Sequence, residues 1–288
     1  MKTANIKHSN SILKLVWKAK RGVIRRSMFL VACLLFSFCL VPTFSLTAAE
    51  PLRALLITGG CCHDYPAQKK TLSEGISARA NVTWTIVHEG DSAGREHKMS
   101  VYEKPDWAKG YDVIVHNECF GKVTNIAFIE QIVRAHTNGV PAVMIHCSMH
   151  SYRETTSDEW RKLLGVSSYR HQPKRAFKVI TVKADHPIMK GFPETWQDAE
   201  DELYEIKKVW PNCVPLAKSL TPDNEQDQHV SIWVNTYGNC RVFGTTLGHL
   251  NDTIKTDLYL DLVTRGLLWS CDKLDKNGKP KSGYEKKS

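Results

Sequence analysis

Histidines and carboxylates in this chain gather where apolar runs end. Ala142–Ile145 is followed at once by His146, Cys147, Ser148 and His150. The run 53–60 leads into Cys61, Cys62, His63, Asp64 and Tyr65, and 113–115 into His116, Asn117 and Glu118. Neutral imidazole binds zinc-like metals through either ring nitrogen, and a catalytic site needs about three protein ligands plus one open position. Without a metal the same groups make an acid–base centre, because histidine titrates near neutrality and a half-buried carboxylate can be raised toward it. His63, His146 and His249 are the candidate metal ligands. His146, with Glu118, Glu202 and Asp201, is the candidate for catalytic work, and Asp64, Tyr65, His116, His150 and Tyr204 for holding a substrate. Structural roles compete for several of these. One of Asp201 and Glu202 faces away from the other on a strand, His150 can cap a helix, and Tyr204 or Trp233 can be core aromatics rather than a sugar platform. His88, His97, His136, His171 and His229 read as ordinary surface or core residues, and His186 before Pro187 as fixing a turn.

The elements that must position these groups follow from hydrophobic pattern. A run as short as Ala142–Ile145, apolar throughout, reads as a parallel strand buried on both faces. Ligands of open α/β sheets bind at the carboxyl ends of such strands, so three strands bring histidines and acids to one edge. Leu72, Ile76 and Ala80 predict a helix over 68–79, and 82–87 a second strand. Ile129, Ile132 and Val133 predict the helix Ile126–Thr137, with Thr124 as its cap. Residues 91–109 read as loop, and 157–164 as a short helix. This alternation demands right-handed crossovers and a covered sheet. The second half is rich in strands: 176–182, 200–206, 214–219, 230–235 and 240–246. The last two form a hairpin through Tyr237-Gly238-Asn239, and a final amphipathic helix covers 256–269. Residues 50–271 thus read as one α/β domain whose mainly parallel sheet is extended by antiparallel strands.

The first 49 residues stand apart. Lys2, Lys7, Lys14, Lys18, Lys20, Arg21, Arg25 and Arg26 occur there without any acid, followed by an apolar stretch over 28–46 and Thr47-Ala48-Ala49. That order describes a secretory signal cut after Ala49; left uncut, the stretch 28–46 approaches spanning length and anchors the chain in a membrane. The leader's cations account for all but +1 of the net +9, so the basic balance gives no argument for nucleic acid. The Lys-rich tail over 272–288 reads as solvated and disordered. Beyond the leader lie Cys61, Cys62, Cys119, Cys147, Cys213, Cys240 and Cys271, an odd set without a CxxC pair. Export permits disulfides, and no spacing dictates their pairing.

Five motifs in order carry a resemblance. They are His63-Asp64-Tyr65, Ile145-His146, Asp185-His186-Pro187-Ile188 with Gly191, Asp201-Glu202-Leu203-Tyr204, and Arg241-Val242-Phe243 leading to Thr246-Leu247-Gly248-His249. Together they resemble the ThuA-like (trehalose utilisation) family over roughly residues 52–271. The resemblance implies a flavodoxin-like layered fold, similar to the class I glutamine amidotransferases, and a link to trehalose and related disaccharides. The departures from amidotransferases are specific. Their nucleophilic cysteine falls on His146, the small residues of their sharp strand-to-helix elbow are replaced by Met144 and Ser148, and residue 251 is Asn where their Glu is expected.

The resemblance and the residues together imply an exported protein that acts on or binds saccharides or keto-sugar derivatives through a histidine–acid centre. A divalent, zinc-like metal is its candidate cofactor, and no nucleotide cofactor is indicated. Isomerisation, dehydration or epimerisation at a sugar carbon needs a base, an acid and a group that polarises oxygen, which a metal supplies. Two alternatives stay open: a non-catalytic carbohydrate-binding module, and a cysteine-dependent amidohydrolase using Cys147. The expected partner is a saccharide or sugar-derived small molecule, not nucleic acid. A membrane enters only through an uncut leader, and a homo-oligomer stays open.

Overall fold

The first strand, β1 (Leu52–Gly60), is apolar without alternation from Ala54 to Ile57 because both its faces are covered there. Ala54 and Leu56 pack with Leu72 and Ile76 on one side; Leu55 and Ile57 pack with Ile129, Ile132 and Val133 on the other. The computed structural model describes residues 49–90 and 94–287. The expected leader over 1–49 lies outside the described residues except for Ala49, and so does its alternative as an anchor over 28–46. Among the described residues no helix is long and apolar enough to cross a membrane.

The remaining strands are β2 (Val82–His88), β3 (Val113–Cys119), β4 (Ala142–Ile145), β5 (Val166–His171), β6 (Arg175–Thr181), β7 (Thr195–Asp201), β8 (Tyr204–Val209), β9 (Val214–Thr221), β10 (Asn224–Tyr237) and β11 (Cys240–Thr245). Nine of them form one sheet in the order β2-β1-β3-β4-β11-β10-β9-β6-β7. Pairing is parallel from β2 to β11 and antiparallel from β11 to β7. One face is covered by α1 (Tyr65–Ser77) and α5 (Asp257–Ser270), the other by α2 (Ile126–Thr137) and α3 (Glu159–Leu164); a short α4 (Asn251–Ile254) follows β11. The carboxyl ends of β1, β3, β4 and β11 therefore lie side by side, the edge to which the sequence assigned its histidines.

Several boundaries differ from the pattern-based reading, each for a local reason. α1 starts earlier, at Tyr65, because Asp64 accepts the Ala67 amide at 3.1 Å as N-cap and Pro66 suits the first turn. The cap of α2 is Asn125, not Thr124, with its side chain accepting the Phe128 amide at 2.9 Å. The expected strand over 200–206 is two strands. Asp201 accepts the amide of Glu202 at 2.7 Å, and the chain leaves the large sheet there. It continues as β8, which pairs with β5 in a separate two-stranded sheet.

The tail departs most from expectation. Leu274 is buried, Lys281 donates its amide to Lys273 O at 2.8 Å, and Asn81 donates its amide to Tyr284 O at 3.0 Å. The segment's lysines are largely solvated as expected, but it is ordered against the start of β2, because they flank an apolar pair, Leu274 and Tyr284, that packs on the core.

Candidate metal and acid–base centre

Three backbone devices bring the histidines together. At the end of β1, Gly59 and Gly60 take φ of +136° and +102°, where a Cβ would collide with the carbonyls of Glu89 and Cys119. This close approach swings His63 over the sheet edge. His146 follows β4 directly with φ +41°, a left-handed conformation that costs a β-carbon residue about 1–3 kcal/mol. The sharp turn thus forms without the small residues an amidotransferase elbow uses, and the chain continues as a 3-10 turn, His146–His150. His249 sits in the turn after β11, which Asp201 builds from beneath: its carboxylate accepts the amides of Gly248 at 2.7 Å and His249 at 3.0 Å.

The three imidazoles meet edge to face. Ring centroids are 4.9 Å apart for His63 and His146, 4.6 Å for His63 and His249, and 5.5 Å for His146 and His249. One nitrogen from each lies within 4.8 Å of the other two. His146 Nδ1 bonds the Thr246 carbonyl, which leaves Nε2 facing the cluster. A ligand histidine is commonly held this way, its second nitrogen donating to a backbone carbonyl. Both ring nitrogens of His63 are buried without a hydrogen-bond partner. Burial, then the charges of His146 and His249, push His63 down to about 2, so it stays a neutral ring with a free lone pair.

Glu202 supplies the negative charge. Its carboxylate lies 3.4 Å from His146 Nε2, 3.2 Å from His249 Nδ1 and 3.6 Å from His171 Nε2. The His249 contact has poor angular geometry, so it is an ion-pair distance rather than a satisfied hydrogen bond. Burial pushes the Glu202 carboxyl up, yet His146 and His249 outweigh that and hold it well below the usual carboxylate range. Burial likewise opposes charge on His146, while Glu202 and Asp201 raise it. The Tyr204 hydroxyl lies 3.3 Å from His146 Nε2. Its ring stacks on His150 at 4.2 Å and 7°, and His150 Nε2 bonds Ser168 at 3.1 Å.

Other candidates have different places. Glu118 and His116 form a closed network with Tyr102 and His136, where His116 Nδ1 lies 3.0 Å from Glu118 and His116 Nε2 3.1 Å from His136. Both are fully buried under α2, so neither reaches a substrate. β3 runs on through Cys119, and its alternation turns residues 116 and 118 to that face. Asp201 is also fully buried and positions the turn instead of taking part in chemistry. Tyr65 is buried with its hydroxyl on Cys61 O at 3.1 Å, so only its ring edge meets His63. Trp233 is a core residue whose indole donates to Leu164 O at 2.6 Å. Asp64, besides capping α1, accepts from Asn251 Nδ2 at 2.8 Å on the outer side of the cluster. His186 caps the Ile188 amide at 3.3 Å.

Sequence reasoning missed His171, which β5 carries to Glu202 and to the Tyr204 ring at 5.7 Å. It also missed Gln68, whose amide bonds His249 O at 3.1 Å and receives Asn117 at 3.2 Å, tying the turn to α1 and β3.

Two cavities flank the histidines. An inner pocket of about 80 Å³ is lined by Cys62, His63, Arg95, Cys119, Arg153 and Glu202, among others. An outer cleft of about 370 Å³ is lined by Cys62, His63, Asp64, His249, Leu250 and Asn251. Cysteines cluster beneath: Cys61 and Cys62 form a disulfide between adjacent residues, and Cys119 Sγ lies 3.7 Å from Cys61 Sγ. A hydrogen bond from Cys147 is the chief cause that lowers the Cys119 thiol. Burial pushes Cys147 well above the ordinary thiol value, so it keeps its proton at neutral pH and is a poor nucleophile.

A half-parallel, half-antiparallel sheet with helices on both faces and a histidine at the turn that leaves β4 defines a layered α/β protein. The model of the ThuA family, described as trehalose utilisation, matches residues 53–270, and the chain belongs to that family. A ThuA-like protein of Parabacteroides merdae is similar in structure, with TM-score 0.63, 17% identity, and 81% of this chain and 98% of that chain covered. Another, from Bacteroides uniformis, gives TM-score 0.57 and 15% identity over 82% of this chain and 98% of that one. At these identities the likeness shows the fold. No functionally curated protein matches the sequence.

Proposed function

We propose that His63, His146 and His249 hold a divalent, zinc-like ion, and that this centre acts on saccharides or keto-sugar derivatives. The observation that carries the reading is His63, with two buried ring nitrogens and no partner for either, beside two further imidazoles and one carboxylate. Orphaned buried nitrogens are costly, and a cation bound among them satisfies all three rings at once. A zinc-type ion polarises a sugar oxygen when bound. Glu202 stays ionised beside the rings and balances their charge, and the Tyr204 hydroxyl, 3.3 Å from His146 Nε2, is the neutral donor. The outer cleft is lined by Asp64, His249 and Asn251, polar residues of the kind that bind hydroxyls. That cleft's volume of about 370 Å³ lies at the lower end of the roughly 300–1,000 Å³ usual for small-molecule sites.

The test is metal analysis of the purified protein together with assays on a panel of disaccharides and their keto derivatives. One zinc-like ion per chain is expected, lost in His63→Ala and His146→Ala with the fold retained by circular dichroism, and turnover lost with it. A wild-type protein that takes up no divalent ion, or a His146→Ala variant with full activity, overturns the assignment. Saccharide binding without product over hours would instead make it a binding module. Export is a separate proposal that rests on the basic and then apolar leader of residues 1–49, and amino-terminal sequencing of exported protein should begin at Glu50.

A further inference from the structure

Four cysteines from three strand ends converge on the floor of the inner pocket, and the histidine chemistry uses none of them. Cys61 and Cys62 are already joined, whereas Cys119 and Cys147 are free and buried. Cys119 Sγ touches Cys61 Sγ at 3.7 Å, the distance of a thiol in contact with a disulfide sulfur. Cys62 is the exposed member of the set and lines both cavities, and Arg95 Nη2 lies 3.9 Å from its sulfur.

We propose that these residues form a thiol–disulfide relay that moves a free thiol from the buried floor to the cleft beside His63. Cys119 loses its proton and attacks Cys61 Sγ. The Cys61–Cys119 bond forms, the Cys61–Cys62 bond breaks, and Cys62 leaves as a thiolate that takes up one proton, with the Arg95 guanidinium facing it. No external oxidant or reductant is consumed, since one disulfide replaces another. The relay converts a shielded thiol, Cys119, into an accessible one, Cys62, open to soft electrophiles and to mixed disulfides with small thiols. It does not depend on a metal at the three histidines.

The full chain in its native state is incubated with iodoacetamide, quenched in acid, unfolded and digested without reduction. Wild-type protein should accumulate carbamidomethyl-Cys62 in step with a cross-link between peptides 54–69 and 110–122. In Cys119→Ser the Cys61–Cys62 bridge should persist and Cys62 labelling should slow at least tenfold. Cys62→Ser, oxidised in air, should carry a Cys61–Cys119 bridge. Equal labelling of Cys62 in wild type and Cys119→Ser overturns the relay. So does a folded Cys62→Ser protein in which Cys61 and Cys119 both stay free.

Discussion

Asp201 holds His249 by its backbone and not by its ring. One carboxylate oxygen accepts the His249 amide at 3.0 Å, the other the Gly248 amide at 2.7 Å, and the side chain has no exposure to solvent. Its neighbour Glu202 does the reverse, turning its carboxylate to the rings of His146 and His249. Two consecutive acids thus divide the work, one shaping the turn and the other facing the cluster.

Asp201→Asn keeps the shape but exchanges one acceptor oxygen for a donor, so one of the two turn amides loses its partner. A buried amide left unsatisfied costs about 1–3 kcal/mol. Displaced supports of metal-binding histidines commonly cost about 10–100-fold in metal affinity. Zinc affinity measured by chelator competition should fall in that range, with a lower melting temperature. A lower melting temperature alone, with zinc affinity unchanged, would show that the turn does not position His249.

Much of this centre was legible because strand ends advertise themselves. Ala142–Ile145 and 54–57 are apolar without alternation, and each run leads on to a histidine, so the convergence of His63 and His146 follows from parallel pairing. Glu118 and His116 misled because the apolar run 113–115 is shorter than the strand; β3 continues through Cys119, and its alternation aims both inward. His171 was illegible for another reason. It reaches Glu202 only because β5 pairs with β8, a contact that no local pattern encodes. The Cys61–Cys62 bridge was equally hidden, since adjacency in sequence gives no hint of bonding.

Asp198 makes stability depend on pH in a direction opposite to a salt-bridged acid. Burial, then the charge of Asp201, raise Asp198 to about 7, and its Oδ2 has no donor unless the two acids share a proton. Unfolded, the group titrates near 3.9. The folded state therefore binds the extra proton between these values. Its stabilisation is complete below about pH 4 and is lost as pH rises through about 7. Relative to Asp198→Asn, wild-type stability in urea should decline across this window. A constant difference from pH 4 to 8 would show that Asp198 is ionised throughout.

Tyr102 belongs to the inner polar network of His116 and Glu118 and makes no hydrogen bond to the histidine centre among the described residues. Its hydroxyl donates to Glu118 at 2.8 Å and lies 3.1 Å from His116 Nδ1, all fully buried. Tyr102→Phe removes a donor from Glu118 Oε1, which keeps only His116 Nδ1 at 3.0 Å, at a cost of about 1–3 kcal/mol. Zinc stoichiometry should not change. Loss of metal in this variant would show that the two clusters act as one.

The carboxyl-terminal segment is a structural strap, and its removal should register in stability. Tyr284 O accepts the Asn81 amide at 3.0 Å, and Gly283 O accepts the Asn81 side chain at 3.1 Å. Leu274, buried on the core, contributes about 1.5–3 kcal/mol by its burial. Deleting residues 273–288 exposes that seat, while the Asn81 groups regain water and lose little. At about 2–4 °C per kcal/mol for a domain of this size, the melting temperature should fall by about 3–12 °C. Zinc binding should survive, because the strap packs on the start of β2 and makes none of the bonds that hold the three histidines. An unchanged melting temperature would mean that the segment lies on the surface without loading it, as its lysine content alone suggests.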